Sequence, residues 1–385
     1  MKLGDRLDKM IDALGDIRHM SVLRIVLGPI VLLHLQDYFA DARDGIVYSD
    51  RFYLPYFDWY PEAGPASYEV MLWAAGISAV AMSVGLATRV TTAYTAFFVG
   101  YNIFLSKTHF AHNRAFLLIL LITVALLPVG RHYSIDNRIR RARGVETTKS
   151  ALLWPIWLVR FEVVVVYCAS ALSKVIDQDW WSGTVLRLRA VDNRQLALDE
   201  GAPAWILDIL ANDTFQWWFS KSAVLGEFAI GLGFIHRRTR LFALWLAIPF
   251  HLAIQIGARV QVFSWAAIAA LVIWVTPAAR GRTVIVGSES RLRYVVAYLD
   301  WFGRFETVEG PAGSLMLIDS DGTERLGKDA LWTTLSRLPA LFFFAGPVVA
   351  YFRLRARLQP DHPAPGASPP AAATGPSSPT SSPHS

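Results

Sequence analysis

Eight apolar blocks punctuate the first 277 residues, at about 20–36, 67–86, 90–106, 113–130, 153–173, 217–235, 239–257 and 260–277. Each approaches the ~20 residues that a helix needs to cross ~30 Å of hydrocarbon. The pattern therefore predicts an all-α polytopic membrane bundle of about eight spans. Lysine and arginine gather in the breaks: at Lys2, Arg6, Lys9 and Arg18, at Arg131 to Lys149, at Arg237 to Arg240, and at Arg280 and Arg282. With eight spans these breaks fall on one side, the cytoplasmic side by the positive-inside rule, with both termini there. The opposite side then carries two longer connections, Asp37–Ala66 and Lys174–Gln216. The first holds the aromatic, proline-rich run DRFYLPYFDWYPEAGP, which reads as an ordered segment hugging the membrane.

The periodicity changes after the last block. TVIVGS reads as a strand, 291–305 as a helix, and SLMLIDSDGTERLG as a strand, an Asp-Gly turn and a returning strand. An apolar stretch at 338–352 is interrupted by Gly346 and Pro347 and reads as a core helix, not a ninth span. The domain expectation is a cytoplasmic segment 1–19, a membrane domain 20–280, a small α+β appendage 283–357 and a tail 358–385. The tail is rich in Pro, Ser, Ala and Thr, and a composition with so little to bury predicts disorder.

Composition agrees with this picture. Hydrophobic residues make up 54% of the 385 positions and charged residues only 18%, and the mean hydropathy is +0.34. Soluble domains carry about a quarter charged residues. The 14 tryptophans suit a chain with two membrane interfaces. The net charge of +6 sits in short loops, so nucleic acid is not an expected partner, whereas membrane lipid is. The single cysteine, Cys168, excludes a disulfide framework and CxxC chemistry. No cleavable signal pattern precedes the first block, which would itself direct insertion.

Ionisable groups kept at membrane depth are functional candidates because burying charge there is costly. The stretch from Tyr101 to Asp136 places Lys107, His109, His112 and Asn113 at the mouth of a span. Desolvation favours a neutral amine, which can act as a base; alternatively, Lys107 snorkels to the interface. His109 and His112, three apart, would share a helix face and hold a ligand oxygen or orient Asn113. No carboxylate lies close in sequence, so no metal is expected. A second stretch, Trp154–Val185, holds Arg160, Glu162, Tyr167 and Lys174. Arg160 and Glu162 are two apart, point to different faces and should find partners on other helices. A third candidate is His251, within Phe250-His251-Leu252. The outer ends of the spans holding Lys107, Arg160 and His251 are expected to converge on one pocket.

Three motifs carry a resemblance. They are Lys107-Thr108 with its His/Asn cluster, the Arg160–Tyr167–Lys174–Asp179–Trp180–Gly183 series, and Phe250-His251 ahead of Val262–Trp265. In order and spacing they resemble the HTTM family of membrane domains, related to vitamin K-dependent gamma-glutamyl carboxylase. The resemblance implies a quinol cofactor, vitamin K hydroquinone or another, with O2 and CO2 or bicarbonate. It implies that Lys107 deprotonates the quinol, that His109, His112 and Asn113 orient it, and that Arg160, Glu162, Tyr167, Lys174 and His251 support the site. The chain departs from the carboxylase in lacking a large region after its last span, which argues for quinol epoxidation over protein carboxylation. The alternative is a non-catalytic membrane protein that binds a peptide, lipid or partner, of the kind found in toxin maturation and immunity systems. Residues 283–357 resemble the DCC family of thiol-disulfide oxidoreductase-like domains with a thioredoxin-like fold. The active motif would fall at Gly287-Ser288-Glu289-Ser290-Arg291, where no cysteine stands, so the resemblance implies a redox-dead domain.

Overall fold

A computed structural model of the chain describes residues 11–45, 54–146, 148, 150–236, 238–258, 262–274, 281–301 and 303–358. The chain divides into two compact units, 1–278 and 279–385.

The first unit opens with strand β1 (Leu14–Asp16) and helix α1 (Arg18–Arg43). Helices α2 (Pro65–Val84), α3 (Thr88–Leu105), α4 (His112–Leu126) and the short α5 (Ile135–Ala142) follow. Strand β2 (Ser150–Leu152) pairs antiparallel with β1 and leads into α6 (Trp154–Ile176). Four short helices come next: α7 (Gln178–Ser182), α8 (Thr184–Asp192), α9 (Arg194–Asp199) and α10 (Ala204–Ala211). Helices α11 (Asp213–Ile235), α12 (Arg240–Ala258) and α13 (Phe263–Ala270) complete the unit, α13 running on into a 3₁₀ turn at Leu271–Trp274.

The long helices form a ring. Contacts run α1–α2–α3–α4–α6–α11–α12–α13 and back to α1. Close approach is set locally by small residues: a Cβ on Gly28 of α1 would lie 2.6 Å from Ser83 Cβ and 2.8 Å from the Ala79 carbonyl oxygen on α2. The outer surface stays apolar. On α2, Val70, Trp73, Ile77, Val80 and Val84 form an exposed stripe at helical spacing. An apolar stripe of that length needs a covering, and a bilayer supplies one.

Helices occupy all eight apolar blocks. Among the described residues four helices, α1, α2, α6 and α11, are long and apolar enough to cross a membrane. The apolar segments His112–Leu126, Arg240–Ile256 and Phe263–Trp274 are shorter, and α3 is not among the four. The unit is therefore a helical bundle with four candidate spans. The predicted connection 174–216 is no open loop, because α7 to α10 fill it. They were hidden in the sequence by their brevity, each too short for an apolar period to register. The start of the aromatic run in the other connection, residues 50–53 with Phe52 and Tyr53, lies outside the described residues, as does the tail from 359 onward, where the composition predicts disorder.

The second unit holds a four-stranded sheet in the order β4-β3-β5-β6, with β3 (Arg282–Gly287), β4 (Phe305–Gly310), β5 (Leu315–Ile318) and β6 (Glu324–Leu326). Helix α14 (Leu292–Leu299) links the parallel pair β3 and β4, and β5 runs antiparallel to both β3 and β6. Helices α15 (Gly327–Leu335) and α16 (Phe342–Leu358) follow. Val284, Val286, Val296, Leu317, Ala330 and Leu338 form the core. The helix expected over 291–305 ends at Leu299, and β4 begins at Phe305. Gly303 adopts φ +58° and Asp300 accepts a 2.9 Å bond from the Phe305 N–H, so the chain turns after Leu299 and the helix does not continue to Phe305.

One carboxylate, Asp319, links β3, β5 and the segment after α15. Asp319 accepts from Arg282 Nε and Arg337 Nη2, both at 2.7 Å, and from the Ser320 N–H at 2.8 Å. Burial raises the Asp319 pKa, but the Arg337 bond, the Ser320 N–H and the two cationic neighbours outweigh it, so the net shift is downward. A pKa depressed in the folded state gives stability that is present above the unfolded value, about 3.9 for Asp, and is lost as pH falls below it. Amide exchange of β3 and β5 in the full-length protein should lose protection progressively below that pH. Asp319→Asn should weaken protection at neutral pH and flatten this acid limb; an unchanged acid limb in the variant would assign the effect to another group.

Candidate functional site

The site begins with spacing. On α6, Tyr167, Ser170 and Lys174 stand three and four apart, so they share one face. On α11, Gln216, Ser220 and Glu227 do the same over three turns. On α12, Pro249 removes a ladder donor two residues before His251. The α6–α11 and α11–α12 packings bring the three faces together.

They enclose a cavity of about 780 Å³. Its walls are mostly apolar and include Phe116, Phe219, Phe250 and Phe263. Arg189, Asn193, Glu200 and Gln216 also line the cavity, and two hydrogen-bonded polar groups stand among the apolar walls. In the first, Lys174 Nζ lies 2.7 and 2.8 Å from the two Glu227 carboxylate oxygens and 2.6 Å from Ser170 Oγ. Ser170 Oγ also donates to Glu227 at 3.1 Å, and the Trp180 ring lies 5.0 Å from the ammonium. In the second, Tyr167 Oη and His251 Nε2 are 2.5 Å apart. Both residues are buried, His251 to 2% exposure. With Tyr167 donating, the histidine proton sits on Nδ1, which has no hydrogen-bond partner among the described residues. Such a site can hold an amphiphile: apolar rings along the walls and a hydroxyl or carbonyl at the polar end.

The sequence candidates divide. Tyr167, Lys174 and His251 line the cavity, whereas Lys107, His109, His112, Asn113, Arg160 and Glu162 do not. The expected meeting of Lys107, Arg160 and His251 in one pocket is not what the structure builds. Lys107 is exposed at the start of a 3₁₀ turn, its N–H donating to the Leu54 carbonyl at 2.7 Å. His109 and His112 do not share a helix face, because extended backbone at Phe110 and Ala111 separates that turn from α4. His109 is half-buried, with Nδ1 3.1 Å from the Asn102 carbonyl and its ring edge-on to Tyr38. Burial lowers its pKa; the Asn102 hydrogen bond opposes that shift and the Arg114 charge adds to it. His112 is exposed, and Asn113 Oδ1 accepts from the Arg114 N–H. Arg114 Nη1 bonds the His109 carbonyl, and its guanidinium lies 5.6 Å from the Tyr38 ring. This is a separate polar group, built by α1, the turn and α4.

Arg160 finds its partner on another element, as its position predicted. Its Nε and Nη2 donate to the Ile273 carbonyl at 3.1 and 2.6 Å, between the rings of Trp157 and Trp274. Glu162 is half-buried and has no salt bridge among the described residues. Glu227 was not among the sequence candidates, although it is the only acidic residue in the block 217–235. The cost of a charge at that depth was the available signal. Arg24, fully buried on α1 and donating to the carbonyls of Met82 and Tyr133, carried the same signal.

A family model for the HTTM domain matches residues 14–278. The chain belongs to the HTTM family. No curated protein and no solved structure matches it. The match ends where the first compact unit ends, so the cavity and both polar groups lie within the HTTM domain.

Proposed function

We propose that this HTTM protein binds a quinol, vitamin K hydroquinone or another, in the α6–α11–α12 cavity. One observation carries the reading: an apolar chamber of about 780 Å³ in which the buried Tyr167–His251 pair meets the space a ring would fill. A quinol needs apolar walls for its ring and tail and a donor–acceptor pair for its hydroxyls. Tyr167 and His251 are that pair: the bound hydroxyl gives its proton to Tyr167 Oη as Tyr167 passes its own proton to His251 Nε2. In this reading the enzyme is carboxylase-like in using a quinol with O2, and the Lys107 group is not its base. The topology we favour has eight crossings, with both termini in the cytoplasm of a bacterial inner membrane. What supports it is that β1 pairs with β2 and that Arg24 bonds both Met82 and Tyr133, which gathers the N-terminal segment and two basic or polar breaks at one end of the bundle. For residues 279–358 we favour a cysteine-free, thioredoxin-like appendage. The support is a parallel β–α–β unit joined to an antiparallel hairpin in one sheet.

The second reading, a non-catalytic binder of a lipid or peptide, rests on Lys174. Both Glu227 oxygens and Ser170 hold its ammonium, so no free amine faces the cavity. Titration of the detergent-solubilised protein with a short-chain naphthoquinone decides between occupancy and none, because Trp180 lines the cavity and its fluorescence reports quenching. Saturable quenching is expected. His251→Ala should weaken it about tenfold, the loss of one buried hydrogen bond to the ligand, and Lys107→Ala should leave it unchanged. Absence of saturation, or equal loss in both variants, would remove the cavity from the proposal. Incubation with the reduced quinone and O2, followed by mass analysis for the epoxide, then separates the enzyme from the binder.

A further inference from the structure

A second depression in the HTTM domain, of about 630 Å³, lies where the α2–α3 turn meets the segment after α4. Four arginines line it: Arg89, Arg131, Arg140 and Arg143. None of the four has a salt bridge among the described residues. Two acids are present, Asp136 and Glu146. Asp136 is committed elsewhere: it accepts from the Ala87 N–H, the Thr88 N–H and Thr88 Oγ1 at 2.7–2.8 Å. Burial raises the Asp136 pKa, but these hydrogen bonds and Arg140 more than reverse the shift, so the carboxylate stays ionised as part of the wall. The depression therefore keeps a clear cationic excess.

Its rim is apolar. Val90 and Val145 are exposed beside the arginines, and Ile139 projects from α5 between Arg138 and Arg140. Helix α5 is short, strongly amphipathic and basic, the build of a helix that lies in the interface plane. Arginine forks match phosphate oxygens in planar, bidentate fashion, and apolar residues alongside suit the start of an acyl chain.

We propose that this depression is a headgroup site for an anionic phospholipid of the adjoining leaflet. The phosphate sits among Arg89, Arg131, Arg140 and Arg143, and the acyl chains leave along Val90 and Ile139. The site is independent of the quinol cavity. The alternative source of the same chemistry, free phosphate, lacks the chains that would use the apolar rim.

Native mass spectrometry of the full-length protein, titrated with phosphatidylglycerol against phosphatidylcholine in mixed micelles, tests this. Phosphatidylglycerol should be retained in preference, with one adduct saturating first. Arg140→Gln with Arg143→Gln should weaken that adduct about thirtyfold, two interfacial cations at about 1 kcal/mol each being removed. Arg138→Gln with Arg141→Gln removes equal charge from the same helix but lines no part of the depression, and should change it less than about twofold. Equal losses in the two pairs would reduce the effect to unspecific surface charge and overturn the site. Displacement of the lipid by millimolar inorganic phosphate would also overturn it, by making phosphate the ligand. Loss of folded protein in the Arg140/Arg143 pair is controlled by quinone quenching at Trp180, which depends on neither arginine.

Discussion

Glu227→Ala should destabilise the HTTM domain by about 3–5 kcal/mol, the cost of leaving one member of a buried ion pair without its partner. The side chains of Lys174 and Glu227 are only 14% and 7% exposed, and the walls around them are apolar. With the carboxylate gone, Ser170 and the Trp180 ring remain as partners, and neither carries a compensating charge. The measurement is thermal unfolding of the purified protein in one detergent, with Lys174→Met as the reciprocal variant and the double variant Lys174→Met, Glu227→Met as the decisive one. Because replacing a buried pair by apolar residues of similar volume is often neutral, the double variant should recover most of the loss. Single variants within about 1 kcal/mol of the parent, as for an exposed pair, would show that water reaches the pair.

Gly85→Ala should be comparably damaging for a different reason. Gly85 ends α2 at φ +75°, where a side chain costs roughly 1–2 kcal/mol. An added Cβ would also lie 2.3 Å from Ser134 Cβ, 2.8 Å from Ser134 Cα and 2.4 Å from Arg24 Nη1. Nothing there can yield cheaply. Ser134 is tied to the Gly130 carbonyl and to the Asn137 N–H, and Arg24 bonds the carbonyls of Met82 and Tyr133. Displacing a buried, charge-assisted bond adds about 1.5–3 kcal/mol. Gly144→Ala is the control: Gly144 has φ +72° but open space around its Cβ direction, so only the backbone cost applies. Equal changes in unfolding temperature for the two variants would mean that the junction of α1, α2 and the 130–136 segment relaxes around the methyl group.

The sequence by itself determined a good deal. Apolar blocks located the eight helices of the ring, because a segment bound for lipid or for the inside of a bundle must be apolar all round. The strand and Asp-Gly turn signals located β3, β5 and β6, since those depend on neighbours in the chain. Motif order was enough to point to the HTTM family. Tyr167, Lys174 and His251 were readable as candidates because polar groups in apolar blocks stand out.

Only the tertiary structure decided which candidates meet. Lys107 has the right motif, yet an extended link at Phe110–Ala111 and the Leu54 contact leave it exposed, and neither is written in the spacing of its neighbours. Glu227 became central because α11 turns that face toward Lys174, 53 residues away in the chain. Strand β4 escaped notice because it pairs with β3 through a crossover, and its own residues, mostly exposed, carry little alternation. Local periodicity records how a segment is solvated. The partners of a buried charge are fixed by how whole helices pack, a property of the assembled ring and not of any one segment within it.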